Sequence, residues 1–173
     1  MLEFFNKVDN IILNWINVKL RNKTFDKIMP IITSIGNLGI VWITISVLLL
    51  LRKNDYKILG QMIITSLIIT TIIGEGIIKN IVKRKRPFYD DDNKKLLISR
   101  PITYSFPSGH TASSFAVATV FIKTDNSASF GIVLLANLIA FSRVYLGVHY
   151  PSDVIGGGII GTICGFITFI LFF

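Results

Sequence analysis

Residues 154–173 read VIGGGIIGTICGFITFILFF, twenty residues without a charge. At about 1.5 Å of rise per residue such a helix is about 30 Å long, the thickness of a bilayer's hydrocarbon core. Gly156, Gly157 and Gly158 near its start leave room for a neighbouring helix. Four more apolar runs precede it, at about 31–51, 58–78, 108–122 and 127–145. The first ends on Arg52-Lys53 and the third on Lys123. The pattern predicts an all-α integral membrane helical bundle of about five transmembrane helices, one domain over 1–173. The run at 108–122 covers only about 23 Å, so it begins below the surface or has protein around its ends.

Composition agrees. Hydrophobic residues make up 51% of the chain, charged residues 16%, and the mean hydropathy is +0.63. Soluble domains carry about 25% charged residues, so a disordered tail is excluded and a soluble enzyme disfavoured. Lys and Arg total 18 against 10 acidic residues, a net charge of +8. In a membrane protein that excess suits anionic head groups or phosphate substrates better than nucleic acid. Cys164 is the single cysteine, so no intrachain disulfide forms. No cleavable signal peptide is legible. Over 1–27, Phe4, Phe5, Val8, Ile11, Ile12, Trp15 and Ile16 recur at helical spacing with Lys7, Asp9, Asn10 and Asn14 between them. This predicts an amphipathic interfacial helix lying on the membrane, or one packed on the bundle.

Following the spans across the membrane brings three polar clusters to one face. The span at 58–78 ends there at Lys79; the next begins there after Pro107; the fourth returns at Arg143 and the fifth leaves near Asp153. In the first cluster Lys79 and Arg86 are seven residues apart, two helical turns, and share a face. Lys79 is a flexible point charge, and Arg86 a planar fork suited to paired phosphate oxygens. Lys83, Arg84 and Lys85 read as a basic flank attracting head groups. Glu75, four residues before Lys79, reads as its ion-pair partner.

The second cluster, Pro107-Ser108-Gly109-His110, opens a helix whose free N–H groups at Ser108, Gly109 and His110 favour an anion. In the third, Ser142-Arg143 is followed by His149 and Asp153. A carboxylate four residues after a histidine can hold one ring nitrogen and leave the other as nucleophile or base. Asp153 also suits a helix cap. Cations for the equatorial oxygens, an in-line nucleophile and an acid for the leaving group are the parts phosphoryl transfer uses.

Taken together, Lys79 with Arg86-Pro87, Pro107-Ser108-Gly109-His110, and Ser142-Arg143 with His149 and Asp153 resemble the signatures of the type-2 phosphatidic acid phosphatase superfamily of membrane lipid phosphatases. The resemblance implies that His149 is the nucleophile, forming a phosphohistidine, that Asp153 holds its ring, and that His110 protonates the departing lipid oxygen and later activates water. It implies that Lys79, Arg86 and Arg143 bind the phosphate oxygens, with Ser108 and the Gly109 amide completing the cradle. It implies no metal and no cofactor, so the Asp90-Asp91-Asp92 run reads as a solvated loop.

The partner expected is a lipid phosphate entering sideways from the bilayer: undecaprenyl diphosphate, phosphatidylglycerophosphate, phosphatidic acid or lipid A phosphate. Gly109 stands where relatives dedicated to undecaprenyl diphosphate often carry Asp, which weakens that choice. The alternatives are a non-catalytic anion carrier or lipid-binding module, and a vanadium-dependent haloperoxidase, which the apolar spans disfavour. The resemblance also implies a bacterial cytoplasmic membrane with the site on its extracytoplasmic face. Charge argues otherwise: 14 of the 18 Lys and Arg fall on the side of the site, which the positive-inside rule would place in the cytoplasm.

Overall fold

The computed structural model describes residues 2–53, 55–89 and 96–173; Asp90-Asp91-Asp92 lies outside them. Among the described residues every regular element is a helix. α1 is Leu2–Trp15 and passes into a π-helical turn at Ile16–Leu20. α2, Lys23–Ile35, starts at Asn22, whose side chain accepts from the Phe25 amide at 2.9 Å. α3 is Ile40–Leu50. α4, Asp55–Thr70, runs on through a π-helical stretch at Thr71–Ile78 into α5, Lys79–Val82, as one rod of 28 residues. α6 is Gly109–Lys123, α7 Ser129–Tyr145 and α8 Pro151–Phe172.

Two of these helices, Asp55–Val82 and Pro151–Phe172, are long and apolar enough to cross a membrane, and a third if a bent pair counts as one span. That pair replaces the straight helix expected over 31–51. α2 and the segment Asn37–Leu50 meet at 42°. Leu38 at φ 51 and Gly39 at φ 67 are both left-handed, which no α-helix continues through.

α6 is the central helix, packed against α4, α7 and α8. Its shortness follows from that position, because protein rather than lipid surrounds it. The closest contact is with α8 and uses Gly157, Gly161 and Gly165. A Cβ at these positions would come within 2.7 Å of the Ser108 carbonyl oxygen, 2.2 Å of that of Ala112 and 2.5 Å of that of Ala116. Of the Gly156-Gly157-Gly158 triplet only Gly157 belongs to this stripe; Gly156 faces the Phe106 ring and Gly158 only touches Phe115. Helical geometry selects every fourth residue, not consecutive ones.

The N-terminal segment packs one face on the bundle and leaves the other exposed. Leu13, Ile16 and, unexpectedly, Asp9 are buried against the bundle, while Ile11, Trp15 and Val18 are exposed. Leu13 and Ile16 join Met29, Phe88, Val144 and Val148 in a core beneath the polar face. A second core, around Trp42, Met62, Ile63, Val117 and Ile139, fills the other half. Trp42 is fully buried, and its indole N–H donates to Ser114 Oγ at 3.2 Å.

Candidate active site

The three polar clusters converge on one cavity of about 1080 Å³. Lys79, Arg86, Gly109, His110, Arg143 and His149 line its polar end. Ile43, Ile64, Leu67, Ile68 and Ile72 line the apolar remainder, between α3 and the α4 rod. Ser108 and Asp153 are fully buried and stand behind the lining.

His149 is placed by the end of α7. Gly147, at φ 66, stops the helix in the left-handed conformation that glycine adopts without strain. The amides of Val148 and His149 then fold back onto the Arg143 carbonyl, both at 3.3 Å. The buried ring meets Arg86, whose Nη1 lies 3.0 Å from Nε2. Guanidinium only donates, so Nε2 is the acceptor and carries the lone pair, and the ring proton sits on Nδ1. Burial pushes the imidazole down to about 3 from its ordinary 6.5; Arg143 and Arg86 add to this and Asp153 opposes it. His149 is therefore neutral at physiological pH, and its Nε2 lone pair carries no proton.

Asp153 stands 3.6 Å from His149 Nδ1, beyond hydrogen-bond length, and Nδ1 has no hydrogen-bond partner. The pair is an electrostatic one in this state. The Asp153 carboxylate is already engaged: Oδ2 accepts from Ser105 Oγ and from the Tyr150 amide at 2.8 Å, and Oδ1 from Arg84 Nη1 at 2.7 Å. The Tyr150 contact closes a capping box, so Asp153 caps α8 while facing the histidine.

Arg84 departs from the sequence reading. It is no loose head-group cation but a bridge between Asp153 and Asp9, which its Nη2 meets at 2.6 Å. Asp9 in turn accepts from the Ser152 amide at 2.9 Å and from Ser152 Oγ at 2.5 Å. The N-terminal helix is thereby tied to the start of α8.

Arg86 differs too. Its donors are taken by the carbonyls of Thr103 (2.7 Å), Tyr104 (3.1 Å) and Val148 (2.8 Å), by Thr103 Oγ1 (3.2 Å) and by His149. It meets a phosphate only by exchanging one of these. Arg143 is the less satisfied cation: Nη1 donates to Thr33 Oγ1 at 2.6 Å, and Nε is buried without a partner. At the α6 opening the Ser108 amide is not free, because it donates to the Asp153 carbonyl at 3.1 Å. The unpaired amides of the first turn begin at Gly109.

His110 Nε2 lies 2.9 Å from Asn37 Oδ1. That oxygen accepts, so Nε2 is the protonated ring nitrogen. Asn37 sits in the break between α2 and α3. The only hint of it in the sequence is Gly36-Asn37-Leu38-Gly39 interrupting an apolar run.

The model of the PAP2 superfamily matches residues 56–173. Among curated proteins, the undecaprenyl-diphosphatase of Sulfolobus acidocaldarius is 37% identical over 130 residues, covering 74% of this chain and 62% of that protein. The chain thus spans less than two thirds of that relative's length. The lipid A 4'-phosphatase of Bacteroides thetaiotaomicron is 27% identical over 184 residues, 99% of this chain and 80% of that one. Among solved structures, Aquifex aeolicus LpxE aligns at a TM-score of 0.78 with 29% identity, over 91% of this chain and 92% of that one. The transmembrane phosphatidylglycerolphosphate phosphatase of Bacillus subtilis shares the fold, at a TM-score of 0.78 and 22% identity over 96% and 85%. The two curated relatives named here are an undecaprenyl-diphosphatase and a lipid A 4'-phosphatase, and the chain belongs to the PAP2 superfamily.

Proposed function

We propose that the chain is a metal-independent membrane lipid phosphatase, one membrane-embedded domain working through a phosphohistidine. The observation that carries this is the cavity. Its polar end gathers both histidines of the chain with Lys79, Arg86 and Arg143, and its other end is apolar. A phosphate head with its tail still in lipid fits those two ends together. His149 Nε2 attacks phosphorus, the P–O bond to the lipid breaks, and His110, as the imidazolium that the phosphate's negative charge stabilises, gives its Nε2 proton to the departing oxygen. His110 then takes a proton from water as the water attacks the phosphohistidine, and inorganic phosphate leaves. Arg143, Lys79 and the Gly109 amide hold the equatorial oxygens, and Arg86 joins them on releasing His149. Ser108 acts from behind, by fixing the α6 opening against Asp153.

In this reading the chain crosses the bilayer about five times, and α1 with the turn after it lies at the interface by the exposed Ile11, Trp15 and Val18. The site faces outward from a bacterial cytoplasmic membrane. The substrate is one of undecaprenyl diphosphate, phosphatidylglycerophosphate, phosphatidic acid and lipid A phosphate. The test is phosphate release from these four lipids by purified protein in detergent with excess chelator. Release is expected from at least one, and none after His149→Ala. Near-normal release by that variant, or a strict need for added magnesium, would overturn the reading.

A further inference from the structure

The phosphate site already contains an anion. Glu75 lines the polar end of the cavity, and its carboxylate meets Lys79 Nζ with both oxygens, Oε1 at 2.6 Å and Oε2 at 2.8 Å. The same carboxylate lies against the opening of α6. A Cβ built on Gly109 would come 2.2 Å from Glu75 Oε1 and 3.2 Å from its Cδ. Glu75 thus touches both a lysine and a helix N-terminus, two features that bind phosphate. It stands in the π-helical stretch Thr71–Ile78, a distortion that recurs at functional sites and changes where a side chain points along a helix. A plain surface ion pair explains none of this, because Lys79 is buried while the Glu75 side chain stays open to the cavity.

We propose that Glu75 is a resident competitor for the phosphate site, which holds Lys79 when the site is empty and is exchanged for the phosphate group of the ligand. The proposal rests on the phosphatase reading above and assigns Glu75 a part in specificity and product release. Arg86 is saturated by carbonyls and His149, so Lys79 and Arg143 are the cations a phosphate can gain most from. A substrate has its tail in the apolar slot to help it displace the carboxylate. Free inorganic phosphate has no tail, so the competition bears hardest on it. Glu75 therefore discriminates between an anchored phosphate and a released one, and helps expel the product from a site with three buried cations.

The test is binding of inorganic phosphate to the purified full-length protein in detergent, read by titration calorimetry, with steady-state kinetics beside it. Glu75→Gln keeps the shape and removes the charge. It should tighten inorganic phosphate about tenfold and lower kcat as product lingers, with KM falling less than the phosphate Kd. Glu75→Asp, whose shorter side chain withdraws from Gly109, should fall between, and serves if Glu75→Gln does not fold. Glu75→Ala combined with Gly109→Asp returns a carboxylate to the same place from α6 and should restore the weaker binding. Equal phosphate affinity in wild type and Glu75→Gln would overturn the proposal. So would weaker binding in the variant, which would make Glu75 a prop for Lys79. Failure of wild type and variants alike to bind inorganic phosphate, while the wild type still releases it from lipid, would overturn the proposal too; absence of both binding and release would overturn the phosphatase reading itself.

Discussion

Replacing Arg84 by Gln should cost more stability than any other single change at the polar face. The Arg84 guanidinium joins two carboxylates, Asp9 at 2.6 Å and Asp153 at 2.7 Å, and also meets Ser152 Oγ at 2.7 Å and Asn6 Oδ1 at 2.8 Å. It lies over the Tyr150 ring at 4.1 Å. Side-chain exposure is 18% for Arg84, 3% for Asp9 and 0% for Asp153, so removing the cation strands two buried carboxylates. Breaking a buried pair by deleting one partner costs about 3–5 kcal/mol, and Arg84's partial exposure puts this case at about 3. Asp9→Asn can keep its oxygen on the Ser152 amide, but its NH2 then faces the Arg84 guanidinium, so it loses both the charge and the acceptor for Arg84, about 1.5–3 kcal/mol. With Asp9 already neutral, Arg84→Gln strands one carboxylate instead of two. The double variant should therefore fall short of the sum by about 1 kcal/mol or more. The assay is a double-mutant cycle on unfolding in detergent micelles, with kcat measured on each variant, because a loosened Asp153 should lower turnover too. Simple additivity, or a neutral Arg84→Gln, would refute the clasp.

Other outcomes follow from single contacts. His149 titrates at about 3 when folded against 6.5 when free, so between those values the unfolded chain binds the extra proton. Stability should then fall as pH drops from 6.5 towards 3, and His149→Gln should flatten that slope in pH-dependent melts. Gly161→Ala places a methyl group 2.2 Å from the Ala112 carbonyl oxygen, a backbone atom that cannot step aside. It should cost about 1–3 kcal/mol in thermal unfolding, and an unchanged melt would mean that α6 and α8 separate freely. In a Cys164→Ala background, a thiol at Ile102, 93% exposed, should react with an impermeant reagent on intact cells, and one at Lys53 should not. The reverse pattern would put the site in the cytoplasm, as the positive-inside rule predicts.

Periodicity and length made most of the helices legible. Apolar runs read their own partitioning, which is local, and so the helices at 58–78, 127–145 and 154–173 stand within a few residues of their observed bounds. The break at 36–39 was not legible, because glycine permits a left-handed turn without requiring one. Tertiary packing decides it here, with His110 meeting Asn37 across the break. The same distinction separates the site's membership from its wiring. Counting crossings brings Lys79, His110, Arg143 and His149 to one face. That Arg84 meets Asp9, 75 positions away, depends on how α1 docks, and an amphipathic pattern shows only that α1 has two faces. Asp9 falls among polar residues of an interfacial helix and reads as solvated until the structure buries it.

The degree to which each buried cation is satisfied says what the substrate must supply. Burying Lys79, Arg86 and Arg143 together is unfavourable unless each charge finds partners. Arg86 finds them in the chain itself, from carbonyls on two loops. Lys79 finds a carboxylate that can be exchanged. Arg143 finds one hydroxyl and keeps a buried nitrogen without a partner. An anion entering the cavity gains most from Arg143, less from Lys79, and least from Arg86, whose donors are already engaged, one of them by His149 Nε2. In the proposed mechanism, release of His149 Nε2 by Arg86 accompanies arrival of the phosphate, so the lone pair is occupied while the site is empty and is free when there is phosphorus for it to attack.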